Sequence, residues 1–280
     1  MIALLVVLIF SSCEDVIQVD VPTEEPRLII DAVVRVDTSI QFNAVRVKVS
    51  LTDSFFGSVP PANLQQITMN NLDNPMTGPD TPALLETEPG SGIYEKYFST
   101  EELVRDRWFL SIRYDDTFYV GFAEFAPSVP FDNLEFGDDV LFDDNDTELK
   151  VTFTDLEERD DFYIFDFDFE NYLVSEDEFY QGQQFEFSYF YDDILLEGED
   201  LDISILGADQ EFYNYMDLLI QQSEGDFGPF ETPALTVRGN IFNVTDIDNI
   251  DSFDNVDNEG NFPLGYFAIV QEFKETIIVE

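Results

Sequence analysis

The segment Val45-Arg-Val-Lys-Val-Ser-Leu51 alternates apolar and polar residues one for one, and Trp108-Phe-Leu-Ser-Ile-Arg-Tyr114 repeats the pattern with Trp108, Leu110, Ile112 and Tyr114 on one side. A period of two puts those side chains on one face of an extended chain, so both segments read as half-buried strands. Working outward, Leu28 to Val36, Leu64 to Met69, Ile93 to Phe98 and Thr117 to Phe125 are similar runs at the spacing of an all-β fold. Residues 27–126 are therefore predicted to form an immunoglobulin-like β-sandwich, for which about 100 residues is an ordinary size.

The stretch Ala126-Pro-Ser-Val-Pro-Phe131 interrupts the pattern. Two prolines this close cannot occupy a central strand, which predicts a linker over 127–136. Beyond it, residues 137–280 read as a second β-rich domain, with strands at Leu149 to Thr154, Phe162 to Phe169, Phe185 to Tyr191 and Leu201 to Leu206. Within Phe162 to Phe169, Tyr163, Phe165, Phe167 and Phe169 form one apolar face, while the other carries Phe162 and Ile164 and then Asp166 and Asp168. One helix is expected over 209–222, because Phe212, Tyr215, Met216 and Leu219 recur at helical spacing behind Asp209, a good N-cap. A loop (Gly225 to Pro233), a strand (Ala234 to Val244), an acidic loop (Asp246 to Asn261) and two strands (Leu264 to Phe273, Thr276 to Val279) complete the chain.

Sixty acidic against 12 basic residues leave a net charge of −48, and histidine is absent. Such a polyanion repels phosphate, which excludes nucleic acid as a partner. Without histidine there is no Ser-His-Asp or Cys-His machinery and no His-ligated metal. Hydrophobic residues at 44%, including 29 Phe, argue for packed cores and against disorder. The charge is then a solvated skin whose mutual repulsion is screened over about 10 Å at 0.1 M salt but about 3 Å at 1 M. Thermal stability is accordingly expected to climb from low to molar NaCl; a large gain from millimolar calcium that NaCl cannot reproduce would instead make the acidic loops metal sites.

Cys13 is the only cysteine, and it follows an apolar run, Ile2 to Phe10, and two small residues, Ser11 and Ser12. That is the arrangement of a bacterial lipoprotein signal, in which cleavage precedes an acylated cysteine. The run is about half the ~20 residues that a spanning helix needs, and the acidic, proline-punctuated stretch after it is no core. Residues 1–12 thus read as a signal peptide with a truncated start, since no Lys or Arg precedes the run, and residues 13–26 as an acidic tether.

The densest set of oxygen ligands is Asp246 to Gly260, where Asp248, Asp251, Asp254 and Asp257 recur at every third position. That spacing is not an EF-hand, which needs Asp at alternate positions, Gly at the sixth and Glu at the twelfth. The loop reads either as a non-standard Ca2+ site or as a solvated acidic loop. Paired carboxylates suit a glycoside hydrolase, but spatial separation decides that chemistry and sequence does not supply it. No phosphate-cradling glycine loop is present.

Further short motifs recur in order: Ser11-Ser-Cys-Glu-Asp-Val-Ile17, Glu25-Pro-Arg-Leu-Ile-Ile30, Pro127-Ser-Val-Pro130, Gly228-Pro-Phe230 with Pro233, Gly239-Asn-Ile241 and Asn261-Phe-Pro-Leu-Gly-Tyr-Phe267. In this order the chain resembles a family of Bacteroidota outer-membrane lipoproteins, domain of unknown function 4249. The resemblance implies an accessory of nutrient uptake beside a TonB-dependent transporter, with no catalytic residues or cofactor to carry over. It also implies that Glu14-Asp15, directly after the cysteine, serve as a surface-export signal. The expected protein is a mainly β, non-enzymatic lipoprotein, anchored in the outer membrane through Cys13 and facing outward. A surface glycan hydrolase using an Asp/Glu pair and a calcium-stabilised adhesin are the alternatives.

Overall fold

A computed structural model describes residues 26–52, 59–75, 82–140, 147–191, 195–223, 237–245 and 262–279. Cys13, Glu14, Asp15, the motif around Gly228 and the four aspartates of the acidic loop lie outside these. The described chain is mainly β. Its strands are β1 (Leu28–Val36), β2 (Phe42–Leu51), β3 (Gln66–Asn71), β4 (Leu85–Glu86), β5 (Ile93–Ser99), β6 (Trp108–Tyr114), β7 (Thr117–Ala123), β8 (Phe125–Ala126), β9 (Phe131–Phe136), β10 (Thr147–Thr154), β11 (Phe162–Asp166), β12 (Tyr172–Glu176), β13 (Gln184–Tyr191), β14 (Asp200–Ala208), β15 (Ile241–Asn243) and β16 (Leu264–Ile278). Two helices, α1 (Thr100–Arg105) and α2 (Gln210–Ser223), accompany them.

Two sandwiches share one sheet. Its order is β12-β11-β14-β16-β1-β2-β5-β4, with β8 also on β16. A four-stranded sheet, β15-β7-β6-β3, covers its N-terminal half, and a three-stranded sheet, β13-β10-β9, lies over the C-terminal core. The long strand β16 makes this possible. Its first half runs parallel to β1 from Leu264 opposite Ile29 to Gln271 opposite Val36, and its second half runs antiparallel to β14. Phe267 and Ile269 enter the N-terminal core, Phe273 and Ile277 pack on the C-terminal one, and Tyr266, Ala268 and Val270 face the opposite side under α2. Burial on both faces explains why Tyr266 to Val270 is a continuous apolar run and not an alternation.

The region 137–280 is accordingly distributed over both sandwiches, since β15 extends the sheet of β7 and β16 extends that of β1. Residues 131–136, read from sequence as linker, form β9 on β10. Only Pro127 to Pro130 lies between strands, and it is held: the Ser128 N–H donates to Gln271 Oε1 (3.0 Å) and its hydroxyl to the Ile205 carbonyl (3.3 Å). The face Tyr163, Phe165, Phe167 is buried in the C-terminal core as expected. Phe169 is not, because Asp168, Phe169 and Glu170 adopt positive φ and turn the chain away after Asp166.

The two motifs Gly239-Asn-Ile and Gly265-Tyr-Phe meet in space. Asn240 Nδ2 donates to the carbonyls of Phe267 (2.7 Å) and Phe122 (3.1 Å), and its Oδ1 accepts from the Phe267 N–H (2.9 Å). A single amide thus imitates a strand backbone and ties the two N-terminal sheets together. The glycines are there because the backbones touch: a Cβ on Gly239 would sit 1.7 Å from the Gly265 carbonyl oxygen.

The cores are rich in tyrosine, with one consequence at high pH. Burial pushes the phenols of Tyr163, Tyr180, Tyr191 and Tyr266 well up, and that of Tyr215 up to about 12. Raised folded-state values mean that this stabilisation is complete below the unfolded value of about 10 and is lost as pH rises through the folded ones. Of the 12 tyrosines, these five are expected to ionise only in a late step that coincides with loss of near-ultraviolet circular dichroism. A single smooth titration near pH 10 with the dichroism intact would contradict it.

Candidate functional site: a groove under helix α2

Helix α2 begins where sequence places it. The Asp209 carboxylate accepts from the Phe212 N–H (2.7 Å), and Phe212 and Met216 are buried against Tyr266 and the shared sheet. Tilted ring contacts cross this interface, with the Phe212 and Tyr215 ring centroids 4.9 and 4.8 Å from that of Tyr266. Leu219, the last member of the predicted stripe, is 41% exposed. It overhangs sheet that the helix does not cover, namely the outer face of β1 and β2.

The space between helix and sheet is a groove of about 660 Å3. Its floor is Ile29, Asp31, Val33 and Arg35 of β1 with Ala44, Arg46 and Lys48 of β2, and its wall is Tyr215, Leu219 and Tyr172. That is the size and apolar character of a small-molecule site with a few convergent polar groups. Of the 12 basic residues in the chain, three line it. One of the three clamps the sandwiches: Arg35 donates to Asp166 (2.7 Å) and Glu272 (3.2 Å), and Glu272 also accepts from the Ser204 hydroxyl (2.8 Å). Burial disfavours the Arg35 charge, but Asp166 and Glu272 outweigh it and hold the guanidinium above its ordinary value. Burial, with the Asp31 carboxylate adding to it, likewise raises Tyr215.

Sequence reading missed this groove, whose residues come from β1, β2, β5, β12, β14, β16 and α2. It also missed the one place among the described residues where three buried carboxylates converge. Asp155, Asp161 and Asp177 bring oxygens within 4.8 Å of one another. These oxygens already have partners. The Tyr163 hydroxyl donates to Asp155 (2.5 Å) and Asp161 (3.0 Å), the Gly182 N–H to Asp155 (2.7 Å) and the Asp161 N–H to Asp177 (2.8 Å). Arg159 supplies the cation through its bond to Asp161. Burial nevertheless pushes Asp161 up. The cluster is a polar knot that fixes the loops beside β11.

No helix among the described residues is long and apolar enough to cross a membrane. No curated protein sequence matches the chain. A family model, described as domain of unknown function (DUF4249), matches residues 14–250, most of the sequence and every described strand before β16. The chain therefore belongs to the DUF4249 family.

Proposed function

We propose that this protein is a lipid-anchored, surface-exposed accessory of outer-membrane nutrient uptake that binds a small ligand in the groove under α2 without chemically altering it. The observation that carries the binding role is the groove itself: an apolar, aromatic-walled cleft where an otherwise acidic chain gathers three of its cations. Its described lining includes one carboxylate, Asp31, where acid–base glycoside hydrolysis needs two. The apolar run ending in Ser-Ser-Cys13 supports the anchor. The family resemblance supports a TonB-dependent transporter as partner, since tethering a binding module beside a transporter raises the effective concentration of captured solute.

The anchor is tested in a Bacteroidota host with an intact signal sequence. Cys13→Ala is expected to abolish labelling by a palmitate analogue and release the protein from membranes; unchanged membrane association would refute it. Affinity purification from detergent-solubilised outer membranes is expected to recover a transporter barrel in near-stoichiometric amount. Recovery of the lipoprotein alone, with glycan hydrolysis lost on mutating one Asp or Glu, would reassign the protein to the hydrolases.

A further inference from the structure

Four charged side chains line the groove floor, and they are not equally available. Arg35 is held by Asp166 and Glu272, and Arg46 makes two bonds to Glu95 Oε2, from Nε (3.0 Å) and Nη2 (2.7 Å). Asp31 and Lys48 remain. They stand directly opposite each other in the β1–β2 ladder, both are exposed, and neither side chain makes a hydrogen bond or ion pair with any described residue. Opposed charges on adjacent strands can attract, but at exposed positions such a pair is worth under about 1 kcal/mol. A ligand presenting a carboxylate and an ammonium therefore displaces it at little cost.

We infer that the groove takes a zwitterionic ligand with an apolar body, an α-amino acid or short peptide with large apolar side chains, its ammonium toward Asp31 and its carboxylate toward Lys48. The inference rests on the binding role proposed above. Two further observations favour this class. The free charges of the floor sum to zero, and a net-neutral ligand escapes the repulsion that a chain of net charge −48 exerts on any anion. A simple cation meets carboxylates over the whole surface but meets Lys48 here, so the groove does not select it. Beside the charge pair, Ile29, Val33, Ile93, Tyr215 and Leu219 offer apolar surface with room for more than one side chain.

The test is calorimetric titration of the purified full chain with the dipeptide Phe-Phe, its N-acetyl form and its C-terminal amide. Phe-Phe is expected to bind. Amidation and Lys48→Gln should each weaken binding by about tenfold, the scale of one charge-assisted hydrogen bond, and together by no more than either alone. N-acetylation and Asp31→Asn should behave as the matching pair. Both substitutions are at exposed positions and leave the fold intact, to be checked by circular dichroism. Equal affinity for all three peptides, or no binding of Phe-Phe, would overturn the zwitterion inference. Ala44→Trp, which fills the floor, separates the two levels. If capped peptides bind the wild type as well as Phe-Phe does and Ala44→Trp abolishes this, the groove stands and the zwitterion preference falls; if Ala44→Trp leaves the affinity of every bound probe unchanged, the groove itself is not the site.

Discussion

Residues 26–140, produced as an independent fragment, are expected to remain unfolded, although they contain nearly all of the N-terminal sandwich. The fragment lacks β15 and β16, and with them Ile241, Phe267 and Ile269, all fully buried in the N-terminal core. At about 1.5–3 kcal/mol for each buried side chain, roughly 5–9 kcal/mol of burial disappears. That is comparable to the 5–15 kcal/mol by which a whole domain is ordinarily stable. The fragment also loses the eight-residue register of β1 with β16, leaving a bare edge on β1. Chemical-shift dispersion and urea unfolding of the fragment check this. Appending residues 262–271 through a flexible linker of about 15 residues should restore much of the structure. A cooperative urea transition in the unmodified fragment would show that β16 is dispensable.

Gly265→Ala, at the single glycine of β16, is expected to be strongly destabilising. Gly265 has φ +101°, and a Cβ there would lie 1.9 Å from the Ile30 carbonyl oxygen, inside the β1–β16 ladder. Neither strand can yield without breaking that ladder. A loss of about 3–5 kcal/mol follows from left-handed strain together with displaced pairing, or about 10 °C in Tm. Gly90→Ala is the control, since Gly90 also has positive φ (+81°) but nothing within 4 Å of the added carbon. It should cost about 1–2 kcal/mol, the conformational strain alone. Asn240→Ala, which removes three hydrogen bonds at the same junction, should fall between them. Equal losses at Gly265 and Gly90 would show that the close contact with Ile30 carries no weight.

Strands whose two faces differ were legible in the sequence. β1 and β6 have the bounds that periodicity predicts, and Asp209 caps α2 as expected. Legibility failed where burial lost its period. β12 is a half-exposed edge strand with no fully buried residue, so nothing in Tyr172 to Glu176 alternates. The pair Lys274-Glu275 looked like a break between two strands, yet β16 runs straight through it in unbroken register with β14, Lys274 opposite Ser204 and Glu275 opposite Ile203, while the Lys274 ammonium pairs with Asp202 at 2.6 Å. The groove was hidden for a different reason. Asp31 and Lys48 are each an ordinary polar-face residue of a strand, and only the register of β1 against β2, with the sequence-distant helix α2 overhanging them, makes them neighbours in a cleft.

Both sandwiches depend on a strand that begins at residue 264, which bears on the order in which the chain meets its surroundings. On the export route proposed above, the chain would cross N-terminus first and present β1 and β14 to the far side of the membrane well before β16 follows, so neither sandwich could be completed during passage. Strand edges wait uncovered in the meantime, the condition in which β proteins join to one another. A surface crowded with carboxylates keeps such waiting chains apart by mutual repulsion. Acidity then has a use before folding is finished: it guards an unfinished sheet until its last strand arrives.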